Sequence, residues 1–253
     1  MGLLPISDDT PRRYIEKPWV TSINVGTCSG VFLLQLGQGE GGFVRALYGY
    51  GVIPSVLLGN DELSPELYRV PGWLTLFTSQ FLHGSWMHLI GNMLFLWIFG
   101  DNIEDSMGRV RFLVFYLLCG AIAGLAFALS DPSAQAPTIG ASGAIAAVLG
   151  AYIVLHPRAR VLVLVGWWPV RMPAFLVLGI WILFQVLNAA YAKPDEANVA
   201  FLAHVAGFIA GAILVFFFRR PGVPVMSISH DSNLRVYGLP QRRRGERGPW
   251  GDA

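Results

Sequence analysis

The chain has 253 residues, of which 54% are hydrophobic and 13% charged, and its mean hydropathy is +0.52. Water-soluble domains carry about twice that share of charge, so the composition excludes an ordinary soluble domain. A net charge of only +2 gives no basis for binding nucleic acid.

Residues 1–17 are polar, and no small-residue cleavage site closes the apolar run that follows. That run is therefore expected to stay as a span rather than leave as a signal peptide. A membrane span needs roughly 20 apolar residues. Six stretches are candidates: 18–36, 83–100, 112–129, 140–155, 173–191 and 199–218. Residues 18–220 thus form the membrane domain. The long loop at 37–72 holds an apolar run, Tyr48 to Leu58, too short to span and broken by Pro54; it is expected to lie at the membrane surface. Residues 221–253 are polar and rich in Gly, Pro and Arg, which predicts a disordered tail. Its Arg242, Arg243 and Arg244 suit either contact with anionic lipid or a plain topology signal. Cys28 and Cys119 lie inside apolar runs and read as small core residues, not a disulfide or metal ligands.

An even number of spans puts both termini on one side. If that side is the cytoplasm, 15 of the 18 Lys and Arg residues are inside, and only Arg45, Arg69 and Lys193 are outside. The excess of cytoplasmic Lys and Arg favours this orientation.

Ionisable and strongly polar groups within spans are costly, which makes each a functional candidate. Ser142 lies in Gly140-Ala141-Ser142-Gly143, where the glycines allow a tight turn and leave space beside the hydroxyl. It opens an apolar helix that His156–Pro157 ends. Free N–H groups and the positive end of the dipole surround such a position and can hold an oxyanion. On this motif alone, a simple helix cap is the competing reading. His204 is followed by Gly207 and Gly211 on one helical face, a spacing that lets another helix come close. The fourth span offers a matching stripe of Ser142, Ala146 and Gly150. One small-residue stripe is headed by serine and the other by histidine, which predicts direct packing of spans four and six. A histidine acting only as interhelical glue is the alternative. His88 and Asn92 share a face one turn apart. Two histidines at that spacing would suggest a metal, but here the second residue is Asn, with no acidic or Cys partner nearby in sequence.

Depth ties these groups together. His88 lies 13 residues from the cytoplasmic end near Asp101, Ser142 14 from His156, and His204 15 from Arg219. At about 1.5 Å per residue all three lie roughly 20–22 Å from that end, or about 10 Å below the outer face of a core about 30 Å thick. Side chains tilt toward the helix N-terminus, which brings Asn92 to the same level. The fourth span covers only about 21 Å, so the loop at 131–139 must dip into the membrane. Such backbone is tolerated only when buried in protein or lining a water-filled cavity.

The segment Phe81-Leu82-His83-Gly84-Ser85-Trp86-Met87-His88-Leu89-Ile90-Gly91-Asn92, then Gly140-Ala141-Ser142-Gly143, then Ala203-His204-Val205-Ala206-Gly207 through Gly211, resembles the rhomboid family of intramembrane serine proteases. Each motif is short, but all three in order on spans two, four and six are specific. The resemblance implies an all-α, six-transmembrane-helix bundle of bacterial type in the inner (plasma) membrane. It implies Ser142 as nucleophile, His204 as general base, and His88 and Asn92 as oxyanion stabilisers beside Ser142. It implies no metal or organic cofactor, and membrane-protein substrates cut near the outer face within the lipid bilayer. Two features depart from common members. Trp73 is followed by Leu74 rather than Arg, and Ala146 stands where some members stack an aromatic ring on the histidine. No acidic third member is evident. The alternatives are a catalytically silent member that binds client helices, which loss of the serine or histidine would mark, and a small transporter. A transporter is disfavoured because the halves do not repeat and the polar cluster lies off the midplane.

Overall fold

The computed structural model describes residues 4–191 and 201–226. The first long helix, α1 (Trp19–Gly37), starts at Pro18, whose missing N–H costs nothing at a helix entrance. The chain continues through α2 (Gly39–Tyr50), the single turn α3 (Pro54–Leu57) and α4 (Gly72–Thr78). Next comes α5 (Trp86–Met107), capped by Ser85, whose Oγ accepts the His88 N–H at 3.2 Å. Gly108, at φ +85°, turns the chain directly into α6 (Arg109–Ser130). The short α7 (Ser142–Leu155) follows, then α8 (Ala174–Tyr191) and α9 (Phe201–Phe218). A helix thus occupies each of the six expected stretches. Four of them, α1, α6, α8 and α9, are long and apolar enough to cross a membrane, and α7 is a shorter apolar helix.

α7 is the centre of the bundle. Its residues Ala144 to Tyr152 are all buried, and it packs against α9, α6 and α5. Cys28 and Cys119 are free thiols buried in the core, as expected of small apolar residues.

The expectation of an all-α chain needs correcting at one end. Strand β1 (Leu4–Asp8) pairs antiparallel with β2 (Arg160–Val165), and β2 pairs antiparallel with β3 (Trp168–Pro173). Gly166, at φ +65°, makes the tight β2–β3 turn. Val161 and Val163 alternate into the core, while their neighbours face outward.

The polar N-terminal segment is strapped to this end by two buried carboxylates at the end of α5. Asp105 accepts the N–H groups of Arg13, Tyr14 and Ile15 at 2.7–2.8 Å. Glu104 accepts those of Val20 and Thr21, and the Thr21 hydroxyl, at 2.8–3.1 Å. The Glu104 bonds satisfy amides at the start of α1 that no helical carbonyl can reach.

The 37–72 segment is more ordered than the loop expected there. It is braced by the stretch that precedes Ser142. Val52 and Thr138 exchange backbone bonds at 2.9 and 2.7 Å, and the Ser55 N–H donates to the Ala134 carbonyl at 3.1 Å. Trp73, beside the departure at Leu74, is exposed and takes no part in that brace. The tail expected to be disordered lies outside the described residues from 227 onward, as do Lys193 and residues 199–200 of the expected sixth span.

Candidate active site

Ser142 is the first residue of α7 and His204 lies in the first turn of α9. The His204 Nε2 and the Ser142 Oγ are 2.8 Å apart, within hydrogen-bond distance. The two helices can approach this closely because their stripes are made of small residues. A side chain on Gly207 would collide with the Gly143 carbonyl, one on Gly211 with the Ala147 carbonyl, and one on Gly150 with the Phe208 carbonyl. Ala146 sits in the same seam, 3.4 Å from where a Gly207 side chain would begin. Backbone meets backbone along the contact, as the two stripes predicted.

Gly140 and Gly143, the glycines that flank Ala141 and Ser142, face different neighbours. Gly140 lies before α7 with φ +117°, a conformation other residues rarely adopt, and its N–H donates to the Ser79 carbonyl at 2.9 Å. A Cβ there would lie 2.6 Å from His88 Nε2 and 3.6 Å from Asn92 Nδ2. The missing side chain is thus the space into which both groups of α5 point. Gly143 faces α6, where a Cβ would meet that of Ala123 at 2.7 Å, while its carbonyl abuts Gly207.

Asn92 is buried, with 8% of its surface exposed, and its Nδ2 has no hydrogen-bond partner among the described residues. An unpaired buried donor is costly, so this one is open to a water, a ligand or a reacting atom. The ring of His83 stacks edge-on against that of His88 at 5.1 Å, which helps hold the His88 ring. All four polar groups singled out in the sequence therefore meet around the N-terminus of α7.

One residue of the site was missed. The Gln185 Oε1, on α8, lies 2.8 Å from His204 Nδ1. Gln185 is one turn from Trp181 on the same helix, and the Trp181 ring lies 6.1 Å from that of His204 at an angle of 34°. The amide and the indole of α8 thus lie beside the imidazole, for which Ala146 offers no aromatic ring. The available signal was an amide in the midst of the apolar run Trp181 to Leu187. Among the described residues there is no cluster of three metal-ligating side chains.

Residues 70–221 match the family model described as the Rhomboid domain. The chain belongs to the rhomboid family. Among its relatives, the rhomboid family member named Rhomboid-like protein 11, chloroplastic, of Arabidopsis thaliana is 29% identical over 174 residues, covering 65% of this chain and 58% of that protein. Rhomboid protein 1, mitochondrial, of Saccharomyces cerevisiae is 32% identical over 157 residues, covering 58% of this chain and 42% of that protein. Inactive rhomboid protein 1 of Drosophila melanogaster is 28% identical over 153 residues, 60% of this chain and 10% of that protein. The chain thus spans about half the length of the first two. The chain is a membrane protein of this family, whose named members include an inactive one.

Proposed function

We propose that this rhomboid is an intramembrane serine endopeptidase that cuts membrane-inserted segments near the outer face. The observation that carries the reading is the 2.8 Å contact between Ser142 Oγ and His204 Nε2 at the N-terminus of a buried helix. A silent, client-binding role has no need of a nucleophile and base within hydrogen-bond reach. In this reading α1, α5, α6, α7, α8 and α9 are six spans, and both termini are cytoplasmic.

The chemistry follows from the geometry. His204 Nε2 takes the hydroxyl proton as Ser142 Oγ attacks a peptide carbonyl carbon. The resulting oxyanion is held by Asn92 Nδ2 and a His88 ring N–H, both beside the Gly140 space, together with the Ser142 backbone N–H at the start of α7. His204 passes its proton to the departing amine, and the acyl-enzyme is released by water activated on the same nitrogen. Gln185 Oε1 accepts a hydrogen bond from the Nδ1–H, which stays on the ring. This leaves the Nε2 lone pair free toward Ser142 and stops the ring from turning. It does for the imidazole what a carboxylate does in a three-member site, without adding charge inside the membrane.

The test is cleavage of a panel of tagged single-span proteins in liposomes, with cut sites mapped by mass spectrometry. Cuts should fall near the outer end of the substrate span, and preferentially where Gly or other weak helix formers lower the cost of unwinding. That cost differs by up to about 1 kcal/mol per Gly relative to Ala. Cuts near the cytoplasmic end, or none in any substrate, would overturn the reading.

Two substitutions probe individual roles. Asn92→Ala should lower kcat by about 10²- to 10³-fold with little change in KM, the usual cost of one oxyanion donor. An effect on KM alone would remove Asn92 from that role. Gln185→Leu should lower kcat by roughly 10- to 100-fold, the scale of a misplaced catalytic group. Gln185→Glu keeps the accepting oxygen and should recover most of the loss. If Leu and Glu behave alike, Gln185 does not orient His204.

A further inference from the structure

At the sheet end of the bundle, far from Ser142, α6 starts and α9 ends side by side. Between them lies a cavity of about 460 Å³ open to the surface, lined by Tyr14, Gly108, Arg109, Val110, Arg111 and Arg220, among others. Arg219 adjoins it in sequence. Among the described residues, no carboxylate lies within ion-pair distance of any of these four arginines, and the ion pair is Arg12 with Asp101.

Arg220 is held in place before any ligand arrives. Its guanidinium carbon stands 5.7 Å from the centre of the Tyr14 ring, and its backbone N–H donates to the Ser106 carbonyl at 2.9 Å. Its Nη2 occupies the spot a Gly108 side chain would fill, 2.9 Å from that would-be Cβ. Its Nε is buried with no hydrogen-bond partner among the described residues. Arg109 and Arg111 add two exposed guanidiniums in the first turn of α6, a turn that has no side-chain cap and no acidic residue. Positive side chains at the positive end of a helix dipole repel it unless an anion is present. Arginine pairs with phosphate through two parallel N–H donors, which suits this set.

The walls say what carries the anion. Val110, 76% exposed, lines the cavity, and Val114 continues it one turn along the same face of α6. Phe217 on α9 is 76% exposed. The arginines therefore sit where two strongly apolar helices end, with bare apolar surface leading away from them along the helices. We propose that this cavity binds the phosphate headgroup of an anionic phospholipid of the cytoplasmic leaflet, its acyl chains lying along Val110, Val114 and Phe217. The proposal rests on the six-span reading for the placement of this end at a membrane surface, and not on catalysis.

The test uses the full chain in lipid nanodiscs of phosphatidylcholine, with or without phosphatidylglycerol, read by native mass spectrometry and thermal unfolding. The wild type should retain phosphatidylglycerol on release from the disc and melt at higher temperature with it than without it. Arg109→Gln with Arg111→Gln, both exposed and outside the packed core, should retain it about tenfold less or worse and lose the thermal shift. Adding Arg220→Gln should abolish retention. Equal retention by wild type and the double variant would overturn the proposal. So would an equal thermal shift from inorganic phosphate in neutral discs, which would assign the site to a free anion. No readout depends on proteolysis, so a silent protein that retains the lipid would refute the protease reading alone. An active one that does not retain it would refute the lipid site alone.

Discussion

Ser142→Ala is expected to abolish cleavage in every substrate while leaving the fold unchanged. Removing a nucleophile that works as a unit with its base costs roughly 10⁶-fold in turnover. The residual rate would then fall below detection for an enzyme working in the usual range of about 1 to 10³ per second. Packing gives no reason for the fold to suffer. The hydroxyl's partner is His204 Nε2, and α7 is held by its buried face from Ala144 to Tyr152, which this change does not touch. His204→Ala should lose comparable activity for the complementary reason, since the hydroxyl would have no base. A fluorophosphonate should label the wild type at Ser142 and leave Ser142→Ala unlabelled. Unimpaired turnover by Ser142→Ala would sink the protease reading. Labelling without turnover would point to a reactive serine in a protein that binds rather than cuts.

The pair was legible in the sequence because its signal is local and repeated. Small residues recur every three or four positions behind both Ser142 and His204, and a stripe of that kind on two apolar helices has few uses other than close approach. His88 and Asn92 were legible for the same reason: polar groups one turn apart within an apolar run. Gln185 was not, because its role depends on the angle at which α8 meets α9. Periodicity along one helix carries no information about that angle. The three-stranded sheet escaped for a related reason. Leu4 to Asp8 is short, contains Pro5, and pairs with residues more than 150 positions away, where the register shifts between Pro5 and Ser7. Strand pairing over such a distance leaves almost no trace in local composition. Glu104 and Asp105 lie past the end of the second apolar run, where nothing in the sequence singles them out. Their burial under the backbone of residues 13–21 could be seen only once the N-terminal segment had been placed. The braces between 52–55 and 134–138 join two loops whose order sequence periodicity does not encode.

Gly207→Val should be the most damaging substitution outside the reacting groups. The added side chain would begin inside the van der Waals envelope of the Gly143 carbonyl and 3.4 Å from the Ala146 methyl. The obstacle on the α7 side is backbone, so no change of rotamer can relieve it; one helix has to move. The neighbouring contacts at Gly211 with Ala147 and at Gly150 with Phe208 are equally tight, so a shift at Gly207 opens the whole seam. Overpacking typically costs about 1–3 kcal/mol, and a clash against backbone in a helix seam belongs at or above the top of that range. The functional loss should be steeper than the loss of stability. The Ser142–His204 contact is one turn from Gly207, and a displacement of about 1 Å at a reacting pair can cost 10²-fold. The expected result is a lower melting temperature in detergent together with loss of fluorophosphonate labelling. Gly179→Ala is the matched control, since a Cβ on that α8 glycine meets nothing within 4 Å. In a helix interior that change should be neutral or stabilising by roughly 0.5–1 kcal/mol. If Gly207→Val melts and labels like the wild type, Gly207 does not face α7, and the seam that brings His204 to Ser142 is not built from these glycines.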